Sequence, residues 1–242
     1  QAVESLRALI LKGPGGYDRV ALCVSEAGAS DVPEPLFTVR LGEWSPWVEH
    51  TFCTDRGPVR AGLRGKLLRL SPDARTVHLY LSEIYPLDDF VHPARLAPEL
   101  VRRCGPFIIQ CSRQQVVQGG ASDSETYFEE QRYLAHWWRD AAGVLLEQQP
   151  WDLFMLKWHG PDWTNHLTMY MVDPRHPMYE PERAEEGSTA RTATLRPCSI
   201  RNMPKASMKV DLPTPGVPDS PILSACRPWP RKPSTRAVAC AR

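Results

Sequence analysis

The sequence lacks a long apolar run, since no stretch of about 18 residues is apolar enough to predict a membrane helix. It also lacks a basic segment followed by an apolar stretch at its start, so neither a membrane span nor a signal peptide is predicted. The chain opens on Gln1, and we expect its start to be truncated. The sequence therefore leaves the localisation open.

Paired cysteines are missing as well. None of the 7 cysteines forms a Cys-x-x-Cys pair, and their spacings match neither a zinc finger nor a redox dithiol, so reduced thiols are predicted. The glycine-rich stretch at residues 13–16 lacks the Lys and Ser/Thr of a phosphate-binding loop, which favours a plain turn. These patterns argue against a zinc finger, a redox dithiol and a nucleotide-binding P-loop.

Acidic residues are scarce at the end of the chain. Residues 188–242 hold 10 Lys and Arg against 2 Asp and Glu, which leaves 19 and 26 for residues 1–187. The formal charge of +1 thus divides into an acidic body of −7 and a basic tail of +8. The proline-rich tail has no helical or strand period, and three interpretations stay open: a disordered basic arm, a disordered linker, or a reading-frame error near Gly187.

The body divides into three predicted segments. Residues 1–35 are expected to begin a truncated α/β domain. Apolar and polar residues alternate through residues 36–85, between turns rich in Ser, Pro and Gly, which predicts an antiparallel β-rich insertion with one wet face. Residues 86–187 are expected to form an α/β core segment.

Two helices and one buried strand are predicted in this core segment. Pro98 and Gly105 suit the ends of a short helix near residues 95–104. Capping oxygens at residues 122–124 precede an amphipathic period that runs to Pro150, with Glu129 and Glu130 expected on the solvated face. The apolar run WDLFMLKW, residues 151–158, predicts a strand covered on both faces.

A carboxylate and an imidazole follow that run. Asp162 and His166 lie four residues apart, where the functional groups of an open α/β sheet would lie, beyond the end of a strand. The spacing alone says little, because Asp88 and His92 repeat it in a polar loop. Metal ligation and an ordinary hydrogen-bonded turn both remain open on the residues alone.

The string DLFMLKWHGPDWTNHLTMYMVDPRHPMY resembles the type I phosphodiesterase/nucleotide pyrophosphatase family of the alkaline phosphatase superfamily. GEWSPWVEHTF, RGKLLRL and VHLYLSEIY also look like the β-rich insertion of bacterial members. The resemblance covers residues 30–187. It implies an internal fragment of an alkaline-phosphatase-like α/β sandwich with a central, mostly parallel sheet, the antiparallel insertion and a disordered proline-rich tail.

The resemblance also implies a two-metal hydrolase of phosphodiester or pyrophosphate bonds, with zinc as the expected metal. Asp162 and His166 match two ligands of one ion, and His159 and His176 would line a substrate pocket unless they are exposed turn histidines. A small phosphodiester or nucleotide is the expected substrate, rather than nucleic acid.

Other parts of the family's site do not appear in the sequence. The family's Thr or Ser nucleophile and its first metal-binding Asp are not recognisable, and no His follows His176. We therefore expect the chain alone to be inactive. The alternative is a non-catalytic α/β domain with a tryptophan-lined, β-rich binding module.

Overall fold

The computed structural model describes residues 4–25, 34–108, 117, 119–149, 152–185 and 187–189. Among these residues the strands come first: β1 Ser5–Gly13, β2 Gly16–Ser25, β3 Pro35–Arg40, β4 Val48–Thr54, β5 Gly57–Leu63, β6 Gly65–Leu70, β7 Val77–Leu81 and β8 Tyr85–Pro86. The α-helices with described bounds follow: α1 Ala97–Cys104, α2 Ser124–Gln148 and α3 Gly160–Val172. Single turns of 3-10 helix lie at Ala94–Leu96 and Pro181–Arg183.

The strands of the described residues form three small sheets, in the orders β1-β2-β3, β4-β5-β8 and β6-β7. Every pairing within these sheets is antiparallel. The prediction of a central, mostly parallel sheet is therefore wrong for the described part of the chain. Short turns explain the difference, because a turn such as the one between β1 and β2 joins only antiparallel strands, whereas parallel strands need a crossover connection.

The strand predicted at residues 151–158 is also absent: residues 152–158, the described part of this run, adopt no strand conformation. Leu153 is 76% exposed and Met155 is 83% exposed. An apolar run becomes a buried strand only where neighbouring strands supply hydrogen bonds and cover, and none of the described strands pairs with it. Residues 152–158 are therefore irregular backbone that leads into α3.

The helix predictions are confirmed. The backbone N–H of Thr126 donates to the Asp123 carboxylate at 2.8 Å, which caps α2 as the sequence suggested. Helix α1 ends at Gly105, whose positive φ of 81° suits glycine. No helix among the described residues is both long enough and apolar enough to cross a membrane.

The described residues bury two main groups of apolar side chains. One lies among β2, β3, β5 and β6 and consists of Val20, Leu22, Phe37, Val39, Leu63 and Leu67. The other packs α1 against α2 and consists of Leu100, Trp137, Ala141 and Val144. In a smaller cluster, Trp47 and Trp163 both pack against the buried pair Ile108 and Leu134. The β-rich part, α2 and α3 therefore pack into one body.

Hydrogen bonds to two glutamates of α2 join this helix to β6 and β7. The buried Lys66 ammonium donates to Glu129 at 2.6 Å, and the Trp44 indole donates to the same oxygen at 2.7 Å. The Tyr80 hydroxyl donates to Glu130 at 2.9 Å. The expectation of a solvated Glu129–Glu130 face is wrong, since Glu130 is 1% exposed. Helical periodicity could not reveal partners that lie 50 to 85 residues away.

Arg64 fills the space between the aromatic side chains at this junction. Its guanidinium carbon lies 4.0 Å from the ring centroid of Trp44 and 4.8 Å from those of Trp47 and Tyr133. Burial lowers the pKa of Arg64, and the nearby Glu130 opposes that shift. Both tryptophans thus pack against a cation of the same chain, which leaves their faces less available to a ligand.

We expect Glu129→Ala to lower the free energy of unfolding by about 3 kcal/mol, because it leaves the buried Lys66 ammonium without its partner. Urea denaturation of the full chain measures this loss. Glu125→Ala is the matched control, since Glu125 lies one turn earlier on the same helix and is exposed. Equal stability of the two variants would contradict a central role for the Lys66–Glu129 pair.

Candidate metal-binding pair on helix α3

Asp162 and His166 lie on the first two turns of α3. Pro161 stands at the start of this helix, where a proline costs nothing because the first N–H groups have no intrahelical partner. Asp162 and His166, which the sequence placed beyond the end of a strand, thus lie within a helix. Residues four apart project from one face of a helix, so the helix itself brings this carboxylate and imidazole together.

The two donor atoms are close and accessible. His166 Nε2 lies 3.7 Å from Asp162 Oδ1, and the two side chains are 69% and 63% exposed. A tetrahedral zinc ion with bonds near 2.1 Å separates neighbouring ligand atoms by about 3.4 Å. The observed separation is within a few tenths of an ångström of that value. A cation could therefore bridge the two atoms with little side-chain movement.

His159 lies beside this pair at the entrance to α3. Its Nδ1 is 3.9 Å from Asp162 Oδ2, whereas His166 lies nearest to the other oxygen, Oδ1. The His159 ring stacks on Trp163 with 5.6 Å between centroids and 29° between planes. The structure therefore brings His159 to the same carboxylate, on its opposite edge.

His176 lies beyond the other end of α3, away from the pair. Its Nδ1 accepts a hydrogen bond of 3.1 Å from the backbone N–H of Met178, and its ring packs near Tyr170. These contacts belong to the turn that follows the helix. The structure does not bring His176 to Asp162 and His166.

Asp162 and His166 supply two of the ligands that one cation would need. No group of three or more His, Cys, Asp or Glu side chains is arranged there to hold a metal ion. A structural or catalytic zinc site uses three or four protein ligands, and a two-metal centre uses more. The residues described here do not make a two-metal centre by themselves.

Two of the described cysteines are poor candidates for metal ligation or nucleophilic attack. Burial raises the pKa of the Cys104 thiol to about 11 and also raises the pKa of Cys23. Both therefore stay protonated near neutral pH, whereas the thiolate is the reactive form. The prediction of reduced thiols is confirmed for Cys23, Cys53 and Cys104, and the other four cysteines lie outside the described residues.

The sequence interpretation missed a concave site elsewhere in the described residues. A cavity of about 340 Å³ lies where β6, β7, the start of α2 and α3 meet. Its polar lining includes Arg69, Ser122 and Arg183, which come from three distant parts of the chain. A local motif cannot reveal such a site, because only the packing of α2 against the β6–β7 hairpin brings these residues together.

Comparison of the chain with protein-family models, with curated proteins and with solved structures found no match. The geometry of Asp162 and His166 and the sequence motif around them are therefore what bears on function. The tail predictions fall on residues 188–242, of which all but Ser188 and Thr189 lie outside the described residues.

Asp162→Ala and His166→Ala should each change the free energy of unfolding by less than about 1 kcal/mol, because both side chains are mainly exposed. Leu167→Ala, in the same helix, should cost about 2–5 kcal/mol because Leu167 is buried. Urea denaturation compares the three variants. A large loss in either exposed variant would show that the pair supports the fold rather than a ligand.

Proposed function

We propose that this chain is part of a metal-dependent hydrolase of phosphodiester or pyrophosphate-type bonds. Asp162 and His166 would hold one side of a divalent cation, with zinc as the best match. The observation that carries the proposal is the 3.7 Å separation of an exposed carboxylate oxygen and an exposed imidazole nitrogen, fixed by one turn of α3. The motif HGPDWTNH supports it through its resemblance to type I phosphodiesterases.

The chemistry of the two donors agrees with this role. Carboxylate oxygen and neutral imidazole nitrogen are ligands that zinc accepts, and the negative charge of Asp162 favours a dication. The N-terminal end of a helix dipole stabilises the Asp162 carboxylate, which lies in the first turn, but opposes a cation. Ligation by the pair alone should therefore be weak.

The parent enzyme would supply the remaining ligands, a second cation and the nucleophile. In such enzymes two bound cations neutralise the phosphoryl group, activate the nucleophile and stabilise the leaving oxygen. Among the residues described here we assign no nucleophile. The contribution of this chain is to position one carboxylate and one imidazole on a rigid helix, and the fragment alone is not expected to turn over substrate.

The charge of the body favours a small substrate. Residues 1–187 carry a net charge of −7, which would repel a long polyanion such as nucleic acid. A small phosphodiester or a nucleotide brings only a few negative charges, which a bound cation can offset. We therefore propose a small-molecule phosphodiester or nucleotide as the substrate.

The second candidate is a non-catalytic domain with a β-rich binding module. The observation that favours it is that the described residues bring only one Asp and one His into zinc-bridging distance on α3. Zinc binding separates the two candidates, because the binding module needs no metal.

Zinc should bind the full chain at the proposed pair. In NMR spectra of the histidine rings, Zn²⁺ should shift the His166 signals in the wild type and leave them unchanged in Asp162→Ala. The His92 ring of the wild type is the internal control, since Asp88 and His92 have the same spacing outside a helix. If the His166 and His92 signals respond alike to Zn²⁺, the metal binds imidazoles without a preformed site, and the metal proposal fails.

In the parent enzyme, Asp162→Ala and His166→Ala should each lower the turnover of a nitrophenyl phosphodiester by about a hundredfold or more. The physical reason is that the cation loses one of its few ligands and, with it, its position against the phosphoryl group. Steady-state kinetics on folded protein measures the effect, with His92→Ala as the control. Turnover within a few-fold of the wild type in both variants would overturn the assignment.

A further inference from the structure

The cavity beside α2 has the shape and chemistry of a ligand site. It measures about 340 Å³, which is at the small end of the range for small-molecule pockets. Arg69 and His78 enter it from β6 and β7, Ser122 and Ser124 from the start of α2, and Tyr170 and Arg183 from α3 and the turn that follows. Polar groups from four elements thus converge on one space.

A β-bulge places the first of these groups. Leu67 pairs with Leu79, but the next pair is Arg69 with His78, so Leu68 is an extra residue in β6. In a straight ladder Arg69 would lie opposite Val77, on the face that packs into the core. The bulge instead keeps Arg69 beside His78 on the cavity side. Bulges commonly re-aim side chains next to functional sites.

The start of α2 supplies a buried hydroxyl. Ser122 borders the cavity and is 6% exposed, and its Oγ has no hydrogen-bond partner among the described residues. An unpaired buried hydroxyl costs free energy that a bound acceptor would recover. Rotation about χ1 can redirect this hydroxyl among three staggered positions. The hydroxyl is therefore available to donate to an oxyanion in the cavity.

The charges of the lining favour an anion. Arg69 and Arg183 contribute two guanidinium groups to the lining, and Asp123 contributes one carboxylate, which already accepts the N–H of Thr126. Glu180, outside the lining, pairs with Arg183 and offsets part of its charge. Arg183 also donates to Tyr170 at 3.0 Å and to Glu180 at 3.2 Å, so it is held in place beside the cavity. His78 Nε2 contacts the carbonyl oxygen of Ala121 at 3.1 Å, which makes it a donor there.

The positive end of a 25-residue helix adds to this field, and guanidinium forks match the geometry of phosphate oxygens. Leu68, Val117 and Leu167 give the rest of the wall an apolar character. We propose that this cavity binds a phosphate group, either as free phosphate or as a phosphate monoester with a small organic part. This site is separate from Asp162 and His166 and does not depend on the function proposed for them.

Calorimetric titration of the full chain with inorganic phosphate and with phenyl phosphate tests the proposal. We expect saturable binding of at least one of the two, with the affinity reduced about tenfold in Arg69→Gln and measurably in Ser122→Ala. Arg75→Gln is the matched control, because Arg75 is exposed on the same hairpin and outside the cavity. Circular dichroism checks that each variant keeps the fold, which exposed Arg69 should not disturb.

The two titrants distinguish the sources of the phosphate group. Tighter binding of phenyl phosphate would show that the apolar wall receives an organic part, and equal affinities would assign the site to phosphate itself. The proposal is overturned if neither titrant binds saturably, or if Arg69→Gln and Arg75→Gln bind alike.

Discussion

The buried ion pair between Lys66 and Glu129 is the contact on which the arrangement of the described residues depends. It joins a strand to the longest described helix, with the Lys66 side chain buried and the Glu129 side chain 27% exposed. Burial of two charges is tolerated only where their geometry and additional hydrogen bonds offset the lost hydration, and Trp44 supplies one of those bonds. Residues of β6 and of the start of α2 both line the cavity, so the same pair joins two parts of its wall.

The local features of the fold could be predicted from the sequence, and the long-range ones could not. Helix α2 follows from its capping residue Asp123 and its apolar period, both of which lie within a few turns of chain. The prediction of a buried strand at residues 151–158 is wrong for the described residues 152–158, because an apolar run looks the same whether or not other strands cover it. The burial of Glu130 was missed for the same reason, since its partner Tyr80 lies on a different element.

The metal-binding pair depends on local helix geometry, whereas the cavity depends on long-range packing. Asp162 and His166 could be paired from the sequence, since four residues of helix bring them to one face whatever surrounds them. The structure changes their setting from the end of a buried strand to the exposed start of α3. The cavity lined by Arg69, Ser122 and Arg183 has no counterpart in the sequence pattern, because it exists only where α2 packs on the hairpin.

The bulge at Leu68 also determines which changes in chain length the β6–β7 hairpin can accept. Removing one residue at the bulge would give a regular ladder in which Arg69 still faces His78 and Leu70 still faces Val77. Removing Leu67 instead would move Lys66 to the opposite face of the strand relative to Arg69, because side chains alternate along a strand. Insertions and deletions in relatives of this protein should therefore concentrate at this one position of β6.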